Sequence, residues 1–248
     1  MTLTFKQFIT EGVEDKGIFK ALFIVGLPGA GKTYTTRVLS GEISPLIINT
    51  DKSAEFIAKK IKHKISSETW ESMFKDTAHR MTKNMLFNYV NGMLPLFIDG
   101  TSNDVSNILQ RAGILESLGY DVGCVFVHTS LEKAKERARE REKNQQLRSV
   151  DEEFIEKIHR ENAENRSFLK SKMKFYIDYH PDQKEFELSD YTLGELYNKV
   201  QGFYKGPPKN IVGKRAIQKL REEGEKYLVP TLMTDTELRN KIQHWYRT

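Results

Sequence analysis

Gly26-Leu27-Pro28-Gly29-Ala30-Gly31-Lys32-Thr33 stands directly after the apolar run 20–25 (KALFIV) and directly before a helical pattern. The octet satisfies G-x-x-x-x-G-K-[ST] in the strand-then-helix context that gives that pattern its meaning. Its glycines permit backbone angles that a side chain forbids. The loop amides then converge on an anion, assisted by the N-terminus of the following helix. In this reading Gly26, Gly29, Ala30 and Gly31 cradle nucleotide phosphates, Lys32 reaches the β- and γ-phosphates, and the Thr33 hydroxyl holds Mg²⁺. ATP and Mg²⁺ are the cofactors it predicts.

Outward from this loop the chain alternates strands and helices. Apolar runs at 45–49 (PLIIN), 94–98 (LPLFI), 121–128 (DVGCVFVH) and 174–179 (KFYIDY) follow the first. A long helical pattern spans 66–89, with Trp70, Met73, Phe74, Met81, Met85 and Leu86 at spacings of three and four and Ser66 or Ser67 as caps. Further helices are predicted at about 103–118, 131–143 and 151–172, and another after the capping box Thr192-x-x-Glu195. Continuous apolar strands alternating with helices specify a parallel sheet covered on both faces. The fold class is α/β: a three-layer P-loop NTPase fold with a five-stranded parallel sheet. The composition changes near residue 205, where Lys205-Gly-Pro-Pro-Lys-Asn reads as a linker. Short helices at about 213–226 and 236–246, the second behind Thr234-x-x-Glu237, complete a small helical C-terminal extension. The organisation is 1–18 as an N-terminal arm, 19–203 as the nucleotide-binding domain and 204–248 as the extension.

Two acidic residues follow strands. Asp51 follows the second and Asp99 the third. In open parallel sheets ligands bind beyond the carboxyl ends of the strands, next to the phosphate loop. PLFID (95–99) resembles a Walker B run, so Asp99 is the candidate for Mg²⁺, directly or through water. Asp51 is placed to take a proton from a substrate hydroxyl. Alone, each reads as a strand-end turn residue; beside the phosphate loop, function is the better reading. Thr101 and Asn103, in DGTSND, are weaker candidates for substrate contact. Past the fourth strand, LEKAKERAREREKNQQLR (131–148) places Arg137 and Arg141 on one helix face with Arg139 elsewhere. Arg148 lies beyond the polar stretch KNQQ. Such a charge run is ordinarily a solvated helix, but phosphoryl transfer needs positive charge over the transferred group, and this position can supply it.

Composition narrows the classes. The 248 residues include 39 Lys+Arg and 34 Asp+Glu, for a net charge of +5. That imbalance permits acidic ligands without requiring nucleic acid. Lys205, Lys209, Lys214, Arg215 and Lys219 are candidates for nucleic-acid contact, though such a set is more often a solvated surface. One cysteine, Cys124, excludes a disulfide framework and a cysteine zinc site. The six histidines are scattered, so a histidine metal site is not expected. No apolar run approaches the roughly 20 residues of a membrane span, and the first fifteen residues lack the apolar core of a secretory signal. The chain is expected in the cytoplasm, without a membrane partner.

GLPGAGKT, NTDK, FIDGT and ERARERE…LR, in this order and spacing, resemble the zeta-toxin-like P-loop kinases and the small-molecule and polynucleotide kinases around them. The resemblance covers about residues 19–180. It implies the sheet order 2-3-1-4-5, Asp51 as the base that activates a substrate hydroxyl, and Arg141 and Arg148 as lid cations with Arg137 in support. Zeta toxins phosphorylate a UDP-amino sugar; their fuller sugar-binding pattern is absent here. The implied activity is ATP-Mg²⁺-dependent phosphorylation of a hydroxyl on a small molecule, a nucleotide-sugar among them, or on a nucleic-acid end. A polynucleotide 5′-hydroxyl kinase is the rival enzyme, and a phage head or DNA-associated protein that only binds nucleotide is the rival of another class. The tail PPKNIVGKRAIQKL…WY resembles those of phage-encoded proteins of this type. TFKQFITE before Gly12 resembles a phage capsid-targeting leader cut after Glu11, which implies capsid association and the virion head as a second location; a frayed N-terminal helix explains the same residues equally well.

Overall fold

The computed structural model describes residues 15–63, 65–66, 69–143, 150–181, 192–223, 235–243 and 245. Its centre is β1 (Lys20–Gly26), all seven residues of which are buried. β3 (Leu96–Gly100) and β4 (Asp121–Val127) flank it, β2 (Leu46–Ile48) lies outside β3, and β5 (Phe175–Tyr179) outside β4. Every pairing is parallel and the order is β2-β3-β1-β4-β5, the order the resemblance implies.

Because successive side chains of a strand face opposite ways, β1 feeds two cores. Leu22 and Ile24 pack with Leu39 of α1 (Lys32–Ser40), Ala134 and Ala138 of α5 (Leu131–Lys143) and Val200 and Tyr204 of α7 (Leu193–Lys205). Ala21, Phe23 and Val25 pack with Leu86 of α3 (Lys75–Asn91) and Leu115 of α4 (Val105–Ser117). α6 (Glu152–Lys172) reaches both, giving Ile155 and Ile158 to the first core and Leu169 to the second. The extension adds α8 (Ile211–Glu223) and α9 (Asp235–Gln243), whose Leu220, Leu238 and Ile242, with Trp245, belong to the second core. Asp121 ties the bend before α8 to the sheet. Its carboxylate accepts from Lys20 Nζ at 2.7 Å and from the backbone N–H groups of Lys209 at 2.7 Å and Asn210 at 2.8 Å.

The elements depart from the sequence reading in three places. A helix not anticipated, α2 (Thr50–Ile61), follows β2 directly. It joins the long helix in a small cluster of Ala54, Ala58, Trp70, Phe74 and Ala78. The long helix opens with a π-helical turn, Trp70–Phe74, before α3. Thr69, and not Ser66 or Ser67, is the N-cap of that turn; Ser66 bonds to it reciprocally, its Oγ accepting from the Thr69 N–H and Thr69 Oγ1 accepting from the Ser66 N–H. The third correction concerns Asp99, which lies within β3, in register with Ile24, and not after the strand. No helix among the described residues is long and apolar enough to cross a membrane.

Candidate active site

The phosphate loop joins β1 to α1 and is held from two sides. Gly26 has φ +155°, and a Cβ there would stand 2.3 Å from the Val127 carbonyl oxygen, so β4 can pass this close only to a glycine. Gly29, at φ +82°, meets the first turn of α5 in the same way, with the Ala134 oxygen 2.6 Å from where its Cβ would be. Gly31 caps α1, its carbonyl accepting from Thr35 N–H at 2.9 Å. Lys32 Nζ donates to the carbonyls of Gly26 and Leu27, each at 2.9 Å. Its ammonium therefore sits over the loop, and Thr33 beside it is exposed.

Arg137 completes this wall. Its Nη1 donates to the Gly29 carbonyl at 3.0 Å and lies 3.8 Å from the Cβ position of Gly31, with Pro181 Cγ at 3.9 Å from the same point. The guanidinium and the turn after β5 thus face each other beside the loop. Arg139 points away, to Glu152 of α6, with Nη2–Oε2 at 3.0 Å. Arg141 stands in the last turn of α5, its side chain outside the description, and Arg148 and the leader to Glu11 lie outside the described residues.

Lys32, Asp51 and Asp99 form one electrostatic site. Burial raises the pKa of Asp99; Lys32 pulls it down, the like charge of Asp51 pushes it up, and the hydrogen bond from Asn49 lowers it. Asn49 is the residue the sequence reading passed over. It caps α2, its Oδ1 accepting from the Lys52 N–H at 3.0 Å, and its Nδ2 donates to Asp99 Oδ2 at 2.6 Å. An Asn directly before a helix is a preferred cap, a signal that depends on reading α2. Asp51 is accordingly an exposed residue of a helical first turn and not of a strand-end turn. The Thr101 hydroxyl donates to Asn103 Oδ1. Between them Ser102 is tied to α6, its Oγ donating to Asn162 Oδ1 at 3.0 Å and its carbonyl accepting from Asn165 Nδ2 at 2.7 Å.

A second polar cluster, unforeseen from sequence, stands at the ends of β4 and β5. Asp178 Oδ1 is 3.0 Å from His128 Nε2 and accepts from Tyr176 OH at 2.8 Å, while Arg166 of α6 grips both carboxylate oxygens at 3.1 Å. Burial opposes the charge on Asp178, but these hydrogen bonds outweigh it and bring the pKa from 3.8 to about 2. His180 stacks on His128 at 4.0 Å and 6°. The hydrogen-bond partners of Asp178 come from the end of β4, from β5 and from α6, so no local sequence pattern announces the cluster.

A parallel sheet in the order 2-3-1-4-5, with this loop after its first strand, defines a nucleotide-using P-loop kinase fold. The family model described as zeta toxin matches residues 10–190, and the chain belongs to that family. Among solved structures, one neighbour comes from the PezAT chromosomal toxin–antitoxin system of Streptococcus pneumoniae, at 19% identity and TM-score 0.54, covering 88% of this chain and 89% of that one. A candidate kinase of Chloroflexus aurantiacus matches at 16% identity and TM-score 0.53, over 74% of this chain and 95% of the other. At these identities both speak for the fold. No curated protein matches the chain.

Proposed function

We propose that the protein transfers the γ-phosphoryl group of ATP to a hydroxyl of a small molecule, with a nucleotide-sugar in the same class of acceptor. The observation that carries this is the gathering of three charges at one edge of the sheet: the Lys32 ammonium seated over the phosphate loop, the exposed carboxylate of Asp51, and the partly buried carboxylate of Asp99, which feels both. The loop amides and Lys32 bind the phosphates. Arg137 and Pro181 flank the loop where the nucleotide leaves it.

The donor set fits Mg²⁺. The Thr33 hydroxyl and the Asp99 carboxylate are hard oxygen ligands, and this ion binds through one or two such groups together with substrate phosphates. A carboxylate whose burial raises its pKa also gains from a nearby cation. When bound, Mg²⁺ neutralises charge on the phosphates during transfer. Asp51, exposed and free of the hydrogen bond that occupies Asp99, is the residue to accept the proton of the acceptor hydroxyl. Thr101 and Asn103 contact the acceptor, and Arg141 and Arg148 add positive charge over the transferring group.

The test is incubation with γ-labelled ATP and separate pools of nucleotide-sugars, other small alcohols and 5′-hydroxyl oligonucleotides. Label in a small-molecule product, lost in Asp51→Asn, is the expected result. Label only in oligonucleotides would move the assignment to the polynucleotide kinases, and no transfer to any pool would leave nucleotide binding as the function.

A further inference from the structure

We propose that the protein carries a second ligand site, for a planar aromatic anion, at the edge of the sheet opposite the phosphate loop. A cavity of about 680 Å³ opens there, of a size that suits a small organic ligand. It lies at the N-terminal ends of β1, β4 and β5. β1 has seven residues, which at about 3.3 Å each separates the two edges by about 20 Å. The site is therefore independent of the phosphotransfer reading.

Three features define the ligand. The floor is aromatic: Phe175 of β5 and Phe203 of α7, both partly buried, lie with ring centroids 4.5 Å apart at 31°. The wall holds a buried cation, Lys20, at 2% exposure. Its ammonium donates to Asp121 at 2.7 Å and to the Pro207 carbonyl at 3.1 Å, and stands 5.2 Å from the Phe203 centroid. An ammonium has three N–H groups, so the third is left to the Phe203 face and the cavity. The rim is basic: Lys174, Lys199 and Lys209 come from three separate segments and are exposed. Of the two acidic lining residues, Asp121 is engaged by Lys20 and two backbone N–H groups, which leaves Glu116 against Lys174 and Lys209. An aromatic-lined cavity backed and rimmed by cations recognises a ring that bears a phosphate or a carboxylate.

Gly202 supplies the means of testing this. It lies on α7, lines the cavity, and has no atom within 4 Å of the position a Cβ would take. Gly202→Leu therefore starts from an unobstructed Cβ position and improves helix propensity. The probe is 1-anilinonaphthalene-8-sulfonate, an aromatic anion, titrated by fluorescence into the full chain. Saturable binding is expected, unchanged in Lys32→Ala, and weakened about tenfold or more in Gly202→Leu and in Lys174→Glu/Lys209→Glu. The double variant alters only exposed side chains and decides the matter if Gly202→Leu fails to fold. Displacement by AMP identifies a phosphate ligand, and displacement by indole-3-acetate a carboxylate. Equal affinity in the wild type and the double variant, or displacement by neither compound, overturns the proposal.

Discussion

At the scale of single residues two carboxylates, Asp99 of the candidate site and Asp178 of the second cluster, have opposite thermodynamic characters. Asp99 has its pKa raised by burial. Its contribution favours folding below the ordinary carboxylate pKa and is lost as pH rises through the raised value, so at neutral pH its charge is a cost to stability. Asp99→Asn is expected to melt higher than the wild type at pH 7 without metal. MgCl₂ should raise the melting temperature of the wild type and leave that of the variant unmoved. Asp178 is the reverse, with a pKa near 2 against 3.8. Its contribution, about 2 kcal/mol, is present above pH 4 or so and lost as pH falls toward 2. Urea unfolding of Asp178→Asn should show that loss at pH 7 and a gap to wild type that closes in acid. For the reaction itself, Asp51→Asn keeps size but accepts no proton, and a positioned base contributes about 10²–10⁴-fold. Turnover should fall in that range with ATP affinity retained, whereas Lys32→Ala should lose both. A wild-type rate in Asp51→Asn would send the search for the base to Asp99.

At the scale of elements the joint between the phosphate loop and α5 governs the site. Gly29→Ala sets a methyl group 2.6 Å from the Ala134 oxygen at a left-handed φ, so either the loop or α5 must shift. ATP binding, measured by calorimetry, should weaken by an order of magnitude or more, with a stability loss of about 1–3 kcal/mol. The loop itself was fully legible in the sequence, because an eight-residue pattern encodes its whole geometry. The five strands were legible from their apolar runs. α2 was not: its sequence TDKSAEFIAKKI buries only Ser53, Ala54 and Ala58, small residues that leave no strong apolar stripe. Missing α2 hid the cap, and with it the role of Asn49. Spacing separates Arg137 from Arg139 on α5, but the contact of Arg137 with Gly29 requires the fold. The Asp178 cluster and the aromatic–lysine cavity join residues far apart in the chain and leave no local trace.

At the scale of the molecule the last helices are part of the core. Arg111 Nε of α4 donates to the Trp245 carbonyl at 2.9 Å, Lys83 Nζ of α3 to that of Gln243 at 3.4 Å, and Arg239 of α9 lies 4.0 Å from the Phe87 centroid. Trp245 is 1% exposed, and Trp245→Ala should cost about 3–5 kcal/mol in chemical denaturation. Asp121→Ala strands the buried Lys20 ammonium and should cost a similar amount; Lys20, whose pKa burial already lowers, would then release its proton more readily. The position of Trp245 also orders events during synthesis. Strands and helices up to β5 emerge from the ribosome first, yet the trough between α3 and α4 stays uncovered until α9 and Trp245 have left the tunnel. Until then the part of the second core that Trp245 and α9 cover is open to water, and it is there that chaperones would meet the chain.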